Sequence, residues 1–168
     1  MIDDDFSVEG LTEDELVSWG TTIGQSVGLP LVLALRGELG AGKSVLARSI
    51  ARGAGVRGSI PSPTFNLLFH YETERDDGAL EVWHLDLYRL EDPDDVWELG
   101  WRELGEGRQI GVIEWPERAE ELLPPDRWDI YLESQGPEQE DRRRLRAIRV
   151  GTPPALPELR VAGEGIGS

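Results

Sequence analysis

The sequence predicts an α/β fold of three layers around a central sheet that mixes parallel and antiparallel strands. An apolar run over residues 31–35 leads into a glycine-rich turn and then into a helical pattern over 45–52. That order of strand, loop and helix is typical of a parallel α/β unit. Four further segments have strand character and form two antiparallel hairpins in this prediction, 65–71 with 80–88 and 128–132 with 144–150.

Length and charge limit the function classes. A chain of 168 residues fits one domain, which we assign to residues 1–150, and the Gly- and Pro-rich residues 151–168 are predicted to be a flexible tail. The formal net charge of −16 disfavours direct binding to nucleic acid or to an anionic membrane. The chain has no cysteine, no apolar run of membrane-spanning length and an acidic start unlike a signal peptide, so we expect a cytoplasmic protein without disulfides.

The helices have start and stop signals in the sequence. Thr12 followed by Glu15 forms a capping box, which predicts a helix start, and Gly20 is a possible break in that helix. A helix is also predicted over residues 94–104, after an Asp-Pro start and with apolar positions that share one side. A shorter helix is expected over 116–123, where two consecutive prolines stop it.

The turn after the first apolar run matches the pattern G-x-x-x-x-G-K-[ST] over Gly37–Ser44, which predicts a phosphate-binding loop. Glycines suit such a loop because backbone N–H groups must turn inward around phosphate oxygens without obstruction from side chains. The lysine would reach the β- and γ-phosphates, and the serine hydroxyl would ligate Mg²⁺. The nucleotide-binding residues predicted here are Glu38, Leu39, Gly40, Ala41, Gly42, Lys43 and Ser44.

Lys43 is the single lysine of the chain, although arginine is common throughout. A planar guanidinium cannot replace a compact ammonium packed against phosphates. The exception therefore supports a phosphate-binding role for Lys43 over a chance glycine-rich turn. It also favours adenine as the base, because the Asn/Thr-Lys-x-Asp element of many guanine-binding proteins needs a lysine elsewhere in the chain.

Two carboxylates lie where strands end and are candidates to hold or orient the metal ion. Glu114 closes a short apolar run, and Asp86 lies near the end of an aromatic-rich segment. The alternatives are that Asp86 pairs with Arg89 on the surface and that Glu114 caps the following helix. Thr64 either offers a hydroxyl to the metal or the γ-phosphate, in the manner of a switch loop, or is a simple cap.

Two further positions also have alternative interpretations. Trp115 either stacks on the base or fills the core, and large aromatic side chains more often do the latter. The basic run around Arg142 is either a solvated hairpin turn or a contact with nucleotide or RNA. The residues by themselves leave both alternatives open.

Four motifs together resemble the TsaE (YjeE) family of ATPases. They are Gly37–Ser44, Ser62-Pro63-Thr64-Phe65, His84-Leu85-Asp86-Leu87-Tyr88-Arg89-Leu90 and Val112-Ile113-Glu114-Trp115-Pro116. The first motif is shared by many families, whereas the histidine-containing motif followed by Glu-Trp-Pro is far more specific. The resemblance extends over roughly residues 10–150.

The resemblance implies a P-loop NTPase-like fold and hydrolysis of ATP with Mg²⁺ during formation of N6-threonylcarbamoyladenosine on tRNAs that read codons starting with A. It also implies action on a complex of TsaD and TsaB, with tRNA reached only through that complex. Ser44 departs from the more usual Thr of the family but keeps the hydroxyl. By position, the resemblance implies a phosphate ligand at Lys43, Mg²⁺ ligands at Ser44 and Glu114, a second acid at Asp86, a switch-like residue at Thr64 and nucleotide contacts at Trp115 and Arg142.

Two other function classes share the phosphate-binding loop. A small-molecule or nucleoside kinase would transfer phosphate to an acceptor and usually carries an arginine-rich lid, and the sequence shows no compact segment of that kind. A non-hydrolysing interaction module would bind ATP without turnover. Release of free phosphate distinguishes an ATPase from both.

Overall fold

The computed structural model describes residues 1–60 and 67–162. Within those ranges the α-helices are α1 (Glu13–Ser26) and α2 (Lys43–Gly53). The strands there are β1 (Phe6–Leu11), β2 (Leu31–Arg36), β3 (Leu68–Arg75), β4 (Gly78–Asp86), β5 (Gln109–Glu114), β6 (Arg127–Ser134) and β7 (Arg143–Val150). They form one sheet in the order β1-β7-β6-β2-β5-β4-β3.

The centre of the sheet is parallel and its margins are antiparallel, which confirms the predicted mixed α/β class. β2 runs parallel to β5 and to β6, and β4 runs parallel to β5. β3 pairs with β4 and β6 pairs with β7, both antiparallel, which confirms the two predicted hairpins. β1, which the sequence patterns do not predict, adds to the sheet beside β7. The parallel strands β2, β4 and β5 therefore all end at one edge of the sheet.

Helices α1 and α2 pack together and share a core with one face of the sheet. The predicted capping box is present, because Thr12 Oγ1 accepts from the N–H of Glu15 and the Glu15 carboxylate accepts from the N–H of Thr12. The predicted break at Gly20 is wrong. Gly20 is instead buried against α2, where an added Cβ would lie 2.8 Å from the Cβ of Ser49, so glycine permits the close approach of the two helices. No helix within residues 1–60 and 67–162 is both long and apolar enough to cross a membrane.

The opposite face of the sheet is covered by short 3-10 helices, so the longer helix predicted over residues 94–104 is wrong. Pro93–Leu99 and Trp101–Glu103 take its place. Gly100 separates them with a φ of +83°, a left-handed conformation that interrupts helical hydrogen bonding. Pro116–Leu122 is also a 3-10 helix. A second, smaller apolar cluster packs between these segments and the sheet.

Residues 151–162 are anchored to the rest of the molecule. Leu156 is fully buried and forms a β-bridge with Ile2. The indole N–H of Trp19 donates a hydrogen bond to the carbonyl of Pro157 at 2.9 Å. This segment therefore differs from the flexible tail that its Gly and Pro content predicts, because its few apolar side chains pack against distant parts of the chain.

Candidate active site

Three strand ends bring the predicted site residues together. β5 lies between β2 and β4 in the sheet. In its register, Glu114 is opposite Leu35, the penultimate residue of β2, and opposite Asp86, the last residue of β4. The loop that follows β2 and both carboxylates therefore lie at one edge of the sheet, which is where ligands bind in open α/β folds.

The glycine-rich loop has the backbone shape that its sequence predicts. An added Cβ at Gly37 would lie 2.4 Å from the carbonyl oxygen of Leu132, so only glycine fits where β2 ends. Gly42 is the N-cap of α2 and has a φ of +109°. Because glycine has no side chain to cap the helix, the first N–H groups of α2 remain available to an anion.

Lys43 is the most distinctive charge of the loop. Its side chain is buried, and its ammonium donates hydrogen bonds to the carbonyls of Gly37 and Glu38. The same ammonium lies 3.8 Å from the centre of the Trp115 ring. Burial lowers the pKa of Lys43, and the nearby carboxylates, led by Glu114, offset this only in part. The loop therefore holds a desolvated cation whose hydrogen-bond acceptors are neutral carbonyls, which suits a polyphosphate.

Glu114 is held by a hydrogen bond on each carboxylate oxygen. The Ser44 hydroxyl donates to Oε1 at 2.8 Å, and His84 Nε2 lies 2.6 Å from Oε2. Glu114 is only 2% exposed, and burial by itself would raise its pKa, but the hydrogen bonds from His84 and Ser44 outweigh burial and lower it. The carboxylate is therefore ionised and faces the loop, and the 3-10 helix after it begins without a side-chain cap.

Asp86 is the second carboxylate at this edge. Burial and the charge of Glu114 raise the pKa of Asp86, and a hydrogen bond from the N–H of Tyr88 to its Oδ1 at 3.0 Å opposes the shift. The structure thus brings both predicted acids to the loop. The predicted switch residue Thr64 lies outside the described residues.

Trp115 has an unusual backbone conformation for a non-glycine residue. Its φ of 57° and ψ of 49° are left-handed, a conformation that costs on the order of 1–3 kcal/mol and persists only where the surrounding structure enforces it. Its ring centre lies 4.9 Å from that of Tyr88 and covers the Lys43 ammonium. The conformation directs the indole over the loop, and backbone strain of this kind is concentrated at functional sites.

Arg143 contacts the loop, and Arg142 does not take that position. Arg143 Nε donates to the carbonyl of Ala41 at 3.1 Å and its Nη2 donates to that of Gly40 at 3.3 Å. Arg142 instead donates to the carbonyl of Gly10 at 3.2 Å. The sequence locates the basic run, but which arginine faces the loop depends on the register of the β6–β7 turn.

A cavity of about 310 Å³ opens over the loop, and a second hollow of about 830 Å³ adjoins it. The first volume is at the lower end of the range for small-molecule sites. Both spaces are lined by Leu39, Gly40, Trp115 and Arg143. The first adds Gly42, Lys43, Ser44, Asp86 and Glu114, and the second adds Glu38 and Ala41.

The donor set of this site fits Mg²⁺ bound together with a nucleotide. Mg²⁺ prefers oxygen ligands and is usually held by one or two protein groups together with substrate phosphates. Ser44 and Glu114 offer a hydroxyl and an ionised carboxylate whose oxygens lie 2.8 Å apart. His84 opens the histidine-containing motif, but the sequence predicts no role for it at the site. Its position two residues before Asp86 on β4 is the signal that both side chains share one face.

Comparison with known proteins agrees with this geometry. A family model described as threonylcarbamoyl adenosine biosynthesis protein TsaE matches residues 11–145. The tRNA threonylcarbamoyladenosine biosynthesis protein TsaE of Bacillus subtilis is 36% identical over 120 residues, which cover 71% of this chain and 70% of that protein. The protein of the same name from Treponema pallidum is 39% identical over 106 residues, which cover 63% of this chain and 75% of that protein.

Among solved structures, the crystal structure of Bacillus subtilis YdiB is similar to this fold. It aligns with a TM-score of 0.67 and 27% sequence identity, and the alignment covers 88% of this chain and 87% of that chain. The family match spans most of the chain and includes the loop, both acids and Trp115. The chain therefore belongs to the TsaE family of threonylcarbamoyl adenosine biosynthesis proteins.

Proposed function

We propose that this protein binds and hydrolyses ATP with Mg²⁺ as a component of tRNA threonylcarbamoyladenosine biosynthesis. The observation that carries the proposal is the convergence of Lys43, Ser44 and Glu114 at the end of the parallel strands. A desolvated ammonium, open helix N–H groups and an ionised carboxylate paired with a hydroxyl are the groups that a Mg²⁺-bound polyphosphate requires. No other part of the described chain combines them.

Each residue has a distinct role in this proposal. Lys43 leaves the loop carbonyls and binds phosphate oxygens, while the loop N–H groups bind the remaining oxygens. Ser44 and Glu114 hold Mg²⁺, which when bound supplies positive charge to the phosphates. Asp86 and Glu114 are the candidates to orient the attacking water, Thr64 is proposed to act as a switch residue, and Trp115 contacts the nucleotide.

The partners follow from the family and from the charge of the chain. The relatives described above are named for tRNA threonylcarbamoyladenosine biosynthesis, and we propose that this protein serves the same modification in the cytoplasm. A net charge of −16 supports action through protein partners over direct binding of tRNA. We propose that these partners are TsaD and TsaB, and that ATP turnover resets their complex.

Phosphate release from Mg·ATP tests the proposal. The purified protein is assayed alone and with the TsaB–TsaD complex, and the Lys43→Ala variant is the control because it removes the cation that binds phosphate. We expect release that the partners stimulate and that the variant lacks, together with weakened nucleotide binding by the variant. Tight nucleotide binding without phosphate release in either condition would contradict hydrolysis, and transfer of phosphate to an acceptor would indicate a kinase.

A further inference from the structure

We propose that His84 is a positioning residue, which fixes the Glu114 carboxylate in the orientation needed to bind Mg²⁺ with the nucleotide. The inference rests on the proposed function and extends it to a residue that does not itself contact the ligand. His84 and Glu114 are both 2% exposed, and His84 Nε2 lies 2.6 Å from Glu114 Oε2.

The strand register explains why this histidine reaches Glu114. His84 on β4 is opposite Val112 on β5, two residues before the end of each strand, and Asp86 is opposite Glu114. Side chains two residues apart on a strand share a face, so His84 and Glu114 are diagonal neighbours on the α2 side of the sheet. A long planar side chain spans that diagonal, whereas a shorter one would not.

The hydrogen bonds divide the two carboxylate oxygens between two donors. The 2.6 Å contact between His84 Nε2 and Glu114 Oε2 is a hydrogen bond that the imidazole N–H donates to the carboxylate oxygen. The Ser44 hydroxyl donates to the other oxygen and still has lone pairs with which to ligate a cation. In the described structure His84 Nδ1 is buried without a hydrogen-bond partner, so the contact of Nε2 with Glu114 is the hydrogen bond that orients this imidazole.

Removal of His84 would thus leave Glu114 with one donor and free to rotate about its last torsion. Residues that orient a metal ligand through a hydrogen bond typically contribute about 10–100-fold to metal affinity or activity. We therefore expect the main loss in Mg²⁺-dependent steps. Lys43 and the loop, which bind the phosphates directly, do not depend on His84.

The chain contains a matched control for this contact. His70 on β3 pairs with Glu81 on β4 at 2.9 Å, but both side chains are substantially exposed, at 38% and 43%. His70 and Glu81 do not line the cavity over the loop. His70→Ala therefore removes the same kind of histidine–carboxylate pair without touching Glu114.

The test compares His84→Ala, His84→Gln and His70→Ala with the wild-type protein. Calorimetry measures ADP binding in EDTA and across a Mg²⁺ titration, and phosphate release measures kcat and KM for ATP. For His84→Ala we expect a Mg²⁺ requirement raised by about tenfold or more and a lower kcat, with unchanged ADP affinity in EDTA. His84→Gln, which keeps an N–H donor at a similar reach, should recover most of both losses, and His70→Ala should match the wild type.

Three results would overturn the positioning role. They are a wild-type Mg²⁺ dependence in His84→Ala, an equal loss of ADP affinity with and without Mg²⁺, and a folded His84→Gln that is no better than His84→Ala. Thermal unfolding of each variant verifies the fold, and His84→Gln provides the test if His84→Ala does not fold. Failure of the wild type and of His70→Ala to bind Mg·ADP would instead refute the proposed function.

Discussion

Two charged clusters lie on opposite faces of the sheet and differ in how their charges are satisfied. We call the first the site cluster, and it consists of Lys43, Ser44, His84, Asp86 and Glu114. We call the second the arginine cluster, and it consists of Arg36, Glu120, Arg127 and Asp129. Strand alternation separates them. Glu114 lies on the face of the sheet that packs against α1 and α2, whereas Asp129 lies between Trp128 and Ile130, which belong to that core, and so lies on the opposite face.

In the arginine cluster the charges satisfy one another. Arg36 donates to both oxygens of Glu120, at 2.7 and 2.8 Å, and to Asp129 at 3.3 Å. Burial would lower the pKa of Arg36, but the hydrogen bond to Glu120 and the charge of Asp129 outweigh burial and raise it. The hydrogen bond from Arg36 in turn lowers the pKa of Glu120. The charges of this cluster are therefore paired with one another, although Arg36 Nε is buried without a hydrogen-bond partner in the described structure.

In the site cluster burial prevails at two positions. It lowers the pKa of Lys43 and raises the pKa of Asp86, so each charge is less stable here than in water. We infer that charges retained at such a cost serve a ligand. Substitutions in the site cluster should therefore reduce activity more than stability, and substitutions in the arginine cluster should do the reverse.

Glu114→Ala should have the largest effect. We expect hydrolysis to fall by about 100-fold or more, as for removal of a group that positions the metal or the attacking water. Nucleotide binding should persist, because Lys43 and the loop are intact. Phosphate-release kinetics and calorimetry with ADP measure the two effects, and wild-type turnover in this variant would contradict the assigned role.

Asp129→Ala tests the arginine cluster. Asp129 is 6% exposed and accepts from Arg36 and, at 3.0 Å, from Arg127. Its loss leaves two guanidiniums without a shared acceptor, and we expect the free energy of unfolding to fall by about 2 kcal/mol. Urea unfolding measures the loss, while ADP affinity should be unchanged. Weakened ADP binding with an unchanged free energy of unfolding would contradict the expectation that the arginine cluster serves stability and not binding.

Asp86→Asn should separate stability from activity in the site cluster. The pKa of Asp86 is raised above 3.8, so the folded state holds the proton more tightly than the unfolded state does. The contribution of Asp86 to the free energy of unfolding therefore falls as pH rises from about 3.8 through the raised pKa of the folded state. It is least favourable at neutral pH. We expect the variant to raise Tm by about 2 °C at pH 7.

The Tm difference should shrink toward pH 4, and hydrolysis should fall at every pH. Thermal unfolding at several pH values, with phosphate release in parallel, measures both. A lower Tm at pH 7 would show that the Asp86 charge stabilises the fold and would contradict the contrast between the clusters.

Arg144→Ala should have the smallest effect. Its Nε lies 2.9 Å from a Glu9 oxygen, but both side chains are about half exposed or more, at 49% and 65%. Exposed pairs of this kind contribute less than about 1 kcal/mol. Urea unfolding should hardly change, and a loss comparable with that of Asp129→Ala would show that burial does not explain the strength of the arginine cluster.

Local signals in the sequence are sufficient for a large part of the fold. The capping box at Thr12 and Glu15 is present because it needs only residues three positions apart. Alternation within short segments likewise identifies the two hairpins. The helix predicted over residues 94–104 is wrong because apolar spacing over one or two turns does not separate an α-helix from two 3-10 helices, and Gly100 divides them.

For the candidate site, the sequence by itself determined the loop from Gly37 to Ser44 and the two acids at strand ends. Those features depend on residue type, short spacing and strand direction, which neighbouring residues already specify. Only the tertiary structure decided that His84 donates to Glu114 and that Arg143 contacts the loop. Both contacts depend on strand register and turn geometry, which are set by packing between segments far apart in the chain.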